Sequence, residues 1–342
     1  MTRRAVVLFN LGGPDRPEAV RPFLFNLFND PAIIGLPQPV RHVLARFLSG
    51  RRASTAIEIY GKIGGGSPLL ANTREQAEAL QCLLGDDTRV FIAMRYWHPM
   101  ANETAALVKA FGAEQVILLP LYPQFSTTTT ASSHRDWMRA AGSVDLDVPT
   151  STVCCYPTAR GFVTAMAELI RPHLAEARKI GRPRLLFSAH GLPKKVVRSG
   201  DPYQWQVERT AAAVVRELDE PDLDWVACYQ SRVGPLEWIA PYTDSEIDRA
   251  GRDRVPVVLV PISFVSEHSE TLVELDIEYR ERAHENGVPL YLRVPTVAAH
   301  ATFIAQLADL VRMASRAPSG TRRSEDGERF CPATWARCFA AP

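Results

Sequence analysis

The stretch "RLLFSAHGLP", residues 184–193, decides the fold, because a buried-looking strand in it runs directly into His190 and a tight turn. Short apolar runs of the same kind are separated by helical stretches along the whole chain. The other predicted strands are residues 4–10, 88–94, 115–121, 144–149, 224–230, 255–261 and 289–295. Strands that alternate with helices in this way predict an α/β fold with doubly wound, Rossmann-like parallel sheets.

The two halves of the chain are similar to each other. "VVLFNLGGP" (6–14) is similar to residues 184–193, and "VILLPLYPQFS" (116–126) is similar to "VVLVPISFVSE" (257–267). A repeat of this length predicts two similar α/β domains with a ligand cleft between them. We place them at residues 1–150 and 151–313, followed by a polar tail, 314–342, which should be poorly ordered unless its cysteines are held.

Composition restricts the class of protein. The chain has 342 residues, 46% hydrophobic and 23% charged, with a formal net charge of +1. This near-neutral balance gives no general attraction for nucleic acid, and no run approaches the roughly 18 apolar residues of a membrane-spanning helix. The apolar run Ala5–Phe9 predicts a strand rather than a signal peptide. Six cysteines are too sparse for a disulfide scaffold, so we expect a reducing, cytoplasmic compartment.

Polar side chains gather where the predicted strands end, which is where open parallel sheets bind their ligands. They are Asn10, Arg95, Tyr96, Tyr122, Gln124, His190, Gln230, Arg232 and the acidic segment from Glu267. A neutral imidazole such as His190 can take a proton or a metal ion near pH 7. A histidine can equally be an ordinary structural residue, and the residues alone leave both interpretations of His190 open.

The acidic segment "SFVSEHSETLVELDIEY", residues 263–279, predicts a helix that carries carboxylates three or four residues apart. Like charges at this spacing repel by roughly 0.2–0.5 kcal/mol per pair on an exposed helix. One explanation is a solvated face balanced by Arg280 and Arg282. The other is a path for a divalent cation that is held weakly and passed on. The residues alone leave both explanations open.

Two segments of the first half have a functional and a structural interpretation. "YGKIGGGSPL", residues 60–69, lacks the P-loop pattern, so it is either a flexible turn or a close backbone approach to a large flat ligand. "LPQPVRHVLARFLSGRR", residues 36–52, predicts a helix with an apolar stripe and four arginines. That stripe either faces the core or belongs to a basic lid that meets a ligand or a bilayer.

Seven motifs in order resemble the ferrochelatase family over residues 5–312. They are "NLGGP", "YGKIGGGSP", "MRYWHP", "YPQFSTTTTASS", "FSAHGLP", "YQSRVGPLEW" and the acidic segment. The resemblance implies a lyase that inserts ferrous iron into protoporphyrin IX, the final step of haem biosynthesis, with no cofactor needed for the reaction. Coproporphyrin III as the substrate, a related chelatase for cobalt or nickel, and a non-catalytic tetrapyrrole carrier are the alternatives.

The same resemblance assigns roles to residues. It implies that His190 and Glu270 handle the metal ion and the pyrrole protons. A relay of protons or metal would follow through Glu267, His268, Glu274 and Glu278. The implied porphyrin-binding residues, together with a lid at about residues 36–67, are Arg52, Tyr60, Ser67, Arg95, Tyr96, Tyr122, Trp238 and Phe264.

Some members of the family hold a [2Fe-2S] cluster near the C-terminus, where this chain has Cys331 and Cys338. A cluster normally needs four protein ligands, which Cys154 and Cys155 could complete. The alternative is a set of ordinary reduced thiols. The sequence also leaves open whether the protein is a monomer or a homodimer, and whether it touches the inner membrane peripherally.

Overall fold

A computed structural model describes residues 2–340 and divides them into two compact units. Unit 1 contains the described residues up to Cys155 together with Leu307–Phe330. Unit 2 contains Tyr156–Gln306 together with the described residues from Cys331 onward. The tail predicted at 314–342 is thus shared between the two units.

The regular elements alternate along the chain as an α/β fold requires. The strands are β1 (Arg4–Asn10), β2 (Thr88–Met94), β3 (Gln115–Pro120), β4 (Thr150–Cys155), β5 (Arg184–His190), β6 (Asp224–Gln230), β7 (Val257–Pro261), β8 (Tyr291–Arg293) and β9 (Arg322–Ser324). The α-helices are α1 (Val20–Phe28), α2 (Gln38–Gly61), α3 (Leu69–Leu84), α4 (Ala101–Phe111), α5 (Thr130–Ser143), α6 (Arg160–Arg178), α7 (Lys194–Arg198), α8 (Tyr203–Leu218), α9 (Thr243–Asp253), α10 (Tyr279–Glu285) and α11 (Ala301–Ser315). Pro17–Ala19 form a 3₁₀ turn and Glu270–Glu278 form a π-helix.

Each unit has its own parallel sheet, which confirms the predicted fold class. The strand order is β2-β1-β3-β4-β9 in unit 1 and β6-β5-β7-β8 in unit 2. The first four strands of unit 1 follow the same order as the four strands of unit 2. Parallel strands that are covered on both faces are continuously apolar, and β1 and β7 are buried along nearly their whole length. All carboxyl ends of a parallel sheet lie at one edge, where His190 ends β5.

The prediction of a strand at 144–149 is wrong, because the strand begins at Thr150. Asp145 has a φ of 50°, which breaks an extended run, and Pro149 has no N–H to donate to a neighbouring strand. The next six residues, "TSTVCC", are β-branched or apolar except for Ser151, and they are almost completely buried. The tail adds β9 beside β4, and the thiols of both Cys331 and Cys338 are buried.

Helix α2 is longer than the predicted segment and does not bury its apolar stripe. Val40, Val43 and Phe47 are 55%, 68% and 62% exposed. The buried residues of this helix are Ala45, Ser49 and Tyr60, which lie on the opposite face. The core-facing interpretation of the stripe is therefore wrong for those three side chains. None of the described helices is long and apolar enough to cross a membrane.

Candidate active site

His190 is fixed at the carboxyl end of β5 by the neighbouring strand. It lies opposite Gln230 at the end of β6, and the Gln230 carbonyl accepts the N–H of Gly191 at 2.9 Å. Only glycine fits position 191, since an added Cβ would lie 2.9 Å from that same carbonyl oxygen. Ser188 donates to the Gln230 side chain at 2.6 Å, so the strand end is rigid. This rigidity aims the imidazole beyond the sheet.

The centre of the site is a contact between His190 and Glu270. His190 Nδ1 lies 2.8 Å from Glu270 Oε2, and the two side chains are 39% and 25% exposed. Burial alone would raise the pKa of Glu270, but the charge and hydrogen bond of His190 outweigh it and lower the pKa to about 2. Burial alone would lower the pKa of His190, but Glu270 outweighs it and raises that pKa. The pair therefore favours a carboxylate beside an imidazole that is a stronger base than usual.

A second carboxylate is joined to the first through Ser231. The Ser231 N–H donates to Glu274 Oε1 at 2.9 Å, and its hydroxyl contacts both Glu270 Oε2, at 3.3 Å, and Glu274 Oε2. Tyr279 donates to Glu274 Oε1 at 3.1 Å. Burial raises the pKa of Glu274, and the negative charge of Glu270 raises it further. Glu270 and Glu274 thus differ in proton affinity although one hydroxyl links them.

The π-helix that carries these acids is shorter than the predicted helix. Residues 263–269 precede it, so Glu267 and His268 lie in irregular backbone just before its first residue, Glu270. Glu278 at its other end is exposed. π-Helical turns are rare and are often found at functional sites, and here one positions Glu270 and Glu274.

Arg293 neutralises part of the negative charge of the acidic segment. Its side chain is 9% exposed and contacts Glu267 Oε1 at 2.6 Å and Asp276 Oδ2 at 3.0 Å. Thr296 N–H adds a bond to Glu267 at 2.9 Å, and Arg280 pairs with Asp276 at 2.6 Å. Glu267 is therefore held in an ion pair, which leaves Glu270 and Glu274 better placed to exchange protons.

His268 lies beside the central pair, is buried, and contacts the ring of Phe264. Its Nε2 is 3.9 Å from Glu270 Oε1, and its ring centroid is 4.6 Å from that of Phe264. Burial lowers the pKa of His268 although Glu270 and Glu267 oppose the shift. A neutral imidazole at this position can act as a metal ligand. Trp238 packs edge-on against His190, with ring centroids 6.5 Å apart.

In unit 1, Arg95 and Tyr96 follow β2 and share a buried partner, Asp30. Arg95 Nη2 is 2.9 Å from Asp30 Oδ2, and the Tyr96 hydroxyl donates to the same oxygen at 2.8 Å. Tyr96 is fully buried and Arg95 retains 17% exposure of its side chain. The resemblance implies a porphyrin contact for Tyr96, and in this structure its ring is buried and its hydroxyl is bound to Asp30.

The other predicted porphyrin residues of unit 1 differ in accessibility. Ser67 donates its N–H to Pro14 at 2.7 Å, and a Cβ on Gly13 would lie 2.6 Å from the Ser67 side chain. The glycine-rich turn therefore packs tightly against the loop after β1. Arg52 on α2 is exposed, whereas Tyr60 is buried. Tyr122 is half-buried, and burial raises its pKa, so its hydroxyl stays protonated.

Sequence reasoning missed several residues that complete the site. Ser231 directly follows the strand that ends in Gln230, so the rule of carboxyl ends could have included it. Tyr279 lies only five residues after its partner Glu274. Arg293, and Asp30 in unit 1, act through contacts distant in sequence, and no local pattern marks them.

The four candidate cluster thiols do not form a four-ligand set. Cys154 and Cys155 end β4 in unit 1, with their sulfur atoms 3.4 Å apart. Cys331 and Cys338 belong to unit 2, where Gln206 donates to Cys331 at 3.0 Å. Among residues 2–340 no three His, Cys, Asp or Glu side chains are grouped as a metal site. The described residues therefore show no preformed site for such a cluster.

Comparison with known proteins agrees with the motifs. The family profile of ferrochelatase matches residues 3–315. A ferrochelatase of Caulobacter vibrioides (strain NA1000 / CB15N) is 54% identical over 99% of this chain and 98% of its own length. A ferrochelatase of Phenylobacterium zucineum (strain HLK1) is 53% identical over 98% of this chain and 97% of its own.

A solved structure has the same fold at low sequence identity. The sirohydrochlorin chelatase SirB from Bacillus subtilis subspecies spizizenii, in complex with cobalt, superposes with a TM-score of 0.54 at 12% identity. The match covers 92% of this chain and 95% of that one. This likeness supports the chelatase-type α/β fold.

Proposed function

The chain belongs to the ferrochelatase family, enzymes that insert iron into a porphyrin in haem synthesis, and we propose that His190 and Glu270 perform this reaction on protoporphyrin IX. The observation that carries the assignment is the 2.8 Å contact between these two side chains at the carboxyl end of β5. Sheet ends of this kind are where α/β proteins bind ligands. Ferrous iron and the porphyrin are the substrates, and no proposed step requires a resident cofactor.

The reaction removes two pyrrole N–H protons from the macrocycle and puts one dication in their place. When His190 is neutral, its Nδ1–H donates to Glu270, which leaves the lone pair of Nε2 to accept a proton. The raised pKa of His190 makes it a stronger base for the first proton. Glu270 then stabilises the imidazolium that forms.

The second proton needs an acceptor that is not already paired with a fixed cation. Glu274 fits this role, because its pKa is raised and the Ser231 hydroxyl joins it to Glu270. We propose that protons leave along Glu270, Glu274 and the exposed Glu278. His268 and Glu270 are the proposed donors that meet the iron first, since a neutral imidazole and a carboxylate both suit ferrous iron.

Aromatic and basic side chains would hold the macrocycle. Trp238 and Phe264 flank His190 and His268 respectively, and both can pack against a flat ring. In unit 1, the exposed Arg52 and the half-buried Ser67 are suited to the propionate groups. A ring held by contacts at its rim can be bent so that its pyrrole nitrogens approach a base, which is strain supplied by binding elsewhere.

The test of this assignment is metallation by the variants His190→Ala and Glu270→Gln. We expect each to lose more than about 100-fold in kcat, while porphyrin binding, followed by fluorescence quenching, changes less than about threefold. His284→Ala is the matched control, because this exposed histidine on α10 lies in the same segment of unit 2. Turnover near that of the wild type in either site variant would remove the proposed centre.

Protoporphyrin IX is the proposed porphyrin because "LFNLGGP", residues 8–14, is similar to family members that use it. A competition experiment with equimolar protoporphyrin IX and coproporphyrin III measures the preference. We expect kcat/KM to favour protoporphyrin by at least about tenfold. Preference for coproporphyrin would reassign the substrate and leave the roles of His190 and Glu270 unchanged. A bound porphyrin that never acquires iron would favour a carrier.

We further propose that α2 touches a membrane surface peripherally. Val40, Val43 and Phe47 form an exposed apolar stripe, and Arg46 and Arg51 are exposed on the same helix. Apolar side chains beside arginines suit the interface of an anionic bilayer. Phe47→Glu should abolish co-sedimentation with vesicles that contain 30% anionic lipid, a fraction of roughly physiological order. Leu107→Glu, which changes an equally exposed side chain on α4, should not. Equal binding by both variants, or none by the wild type, would contradict the proposal.

A further inference from the structure

Asp30 is a completely buried carboxylate of unit 1, and it has more donors than an ordinary surface acid. Its side chain has 0% exposure. Oδ2 accepts from Arg95 Nη2 at 2.9 Å, from Tyr96 at 2.8 Å and from the Ser132 hydroxyl. Oδ1 accepts the N–H of Ala32 at 2.8 Å. Burial would raise the pKa of Asp30, but Arg95 and these donors outweigh it and lower the pKa, so the group is ionised.

Asp30 lies in the connection that leads into helix α2. It is the second residue of the connection between α1 and α2, residues 29–37, which leads into the exposed helix with the apolar stripe. Within that connection its carbonyl accepts from Ile33 and Ile34 at 3.0 and 2.9 Å. Arg41 of α2 donates to Asn29 at 2.8 Å. The base of α2 is thus tied to Asp30 and its neighbours.

The other side of the cluster belongs to the sheet. The backbone N–H groups of Arg95 and Tyr96 donate to Asn10 and Leu11 at 2.9 Å each, which fixes both residues against the end of β1. The Arg95 guanidinium lies 4.9 Å from the centre of the Tyr96 ring. Asp30 therefore joins the base of α2, a long helix with an unburied stripe, to the end of the sheet of unit 1.

We propose that Asp30 is a positioning residue that anchors the base of α2, so that Arg52 and the turn around Ser67 are preorganised for the porphyrin. Arg95 and Tyr96 then serve as the sheet-side half of this anchor, which accounts for the complete burial of Tyr96. The inference rests on the proposed function only for the identity of the ligand. The anchor itself is a property of the free protein.

Asp30→Asn tests the anchor, because it replaces one carboxylate oxygen by an amide NH₂ group. That group cannot accept the hydrogen bonds that Asp30 accepts now, and only one oxygen remains as an acceptor. Without the anchor, α2 must be ordered when the porphyrin binds, so we expect the porphyrin KM to rise about tenfold while kcat changes less than about twofold. Cleavage of residues 31–37 by a protease that cuts beside Ile and Leu should accelerate about tenfold in the free protein.

Asp136→Asn is the matched control. Asp136 also contacts Arg95, at 3.6 Å, and loses the same charge, but it lies on α5 and does not touch the α1–α2 connection. KM and cleavage should stay at wild-type values in this variant. If Asp30→Asn fails to fold, Tyr96→Phe removes one donor from the same carboxylate and should give about threefold changes in the same direction.

The outcomes separate the anchor from other roles. Unchanged local cleavage in Asp30→Asn, equal effects of Asp30→Asn and Asp136→Asn, or a fall in kcat with constant KM would each overturn the proposal. Failure of the wild type to metallate any porphyrin would refute the proposed function instead. In that case the cleavage experiment would still decide the role of Asp30.

Discussion

Replacing Arg293 by methionine should destabilise the π-helix without touching the reacting groups. The guanidinium is 9% exposed and lies between Glu267 and Asp276, whose side chains are 20% and 31% exposed. Removing one partner of a fully buried ion pair costs about 3–5 kcal/mol. Both acids are partly solvated and Asp276 keeps Arg280, so we expect about 2–3 kcal/mol of local destabilisation.

Amide hydrogen exchange of residues 270–285 measures this loss, which corresponds to exchange about 30- to 150-fold faster at pH 7. Burial would raise the pKa of Asp276, but its bonds to Arg280 and Arg293 outweigh it and lower the pKa. The stabilisation is therefore present above the unfolded pKa of about 3.9 and is lost as the pH falls through the lower folded value. The difference between the variant and the wild type should accordingly shrink at pH 4 and below.

Arg280→Met is the control for this experiment. Arg280 pairs with the same Asp276 at 2.6 Å, but its side chain is 51% exposed. Exposed ion pairs contribute about 0–1 kcal/mol, so exchange should accelerate less than about fivefold. Equal effects of the two variants, or a deficit of Arg293→Met that stays constant down to pH 3, would refute the argument from burial.

Three further outcomes are expected. Ser231→Ala removes the hydroxyl between the two carboxylates and should lower kcat about tenfold in a metallation assay at constant porphyrin KM. Glu270→Gln should lower the pKa of His190 relative to the wild type, because burial then acts without the carboxylate that opposes it. An NMR titration of the imidazole measures this pKa. Burial lowers the pKa of His134 to about 4, and Arg322 adds to this shift. Between pH 6.5 and 4 the unfolded state therefore binds more protons than the folded state, and stability is lost as the pH falls. Between pH 7 and 5, the free energy of unfolding should fall by about 2 kcal/mol less in His134→Gln than in the wild type. Denaturant unfolding at the two pH values measures this difference.

Much of the fold follows from local pattern. Strands β1, β2 and β6 have the predicted bounds, because each contains a short apolar run, although only β1 is buried along nearly its whole length. The prediction fails where a strand depends on its partner. β9, residues 322–324, is charged and short, and it exists because it pairs with β4. The run 144–149 has an alternating pattern typical of a strand, yet the φ of 50° at Asp145 and the proline at 149 prevent one.

The candidate site, like the fold, could be predicted from the sequence only in part. His190 and Glu270 were predicted from motifs, and the structure brings them together through a contact between residues 80 positions apart. The ion pairs of the neighbouring acids could not be predicted, because Arg293 reaches Glu267 and Asp276 from strand β8. Tyr96 was predicted as a ligand contact from its position at a strand end. Its hydroxyl donates to Asp30, a residue of the α1–α2 connection that carries no motif.

The arrangement of charges explains why so many carboxylates are collected in one short segment. A site that admits a dication and releases two protons in each turnover needs negative charge, but uncompensated acids in contact would repel one another and raise each other's pKa. Arg293 and Arg280 neutralise Glu267 and Asp276 on one side of the π-helix. Within the described part of the chain, no arginine or lysine ion pair holds Glu270 or Glu274, whose partners are His190, Ser231 and Tyr279. Those partners can give up or rearrange their protons, whereas a guanidinium cannot. The segment thus combines a fixed, neutralised half that keeps the helix folded with a half whose charge can change during each turnover.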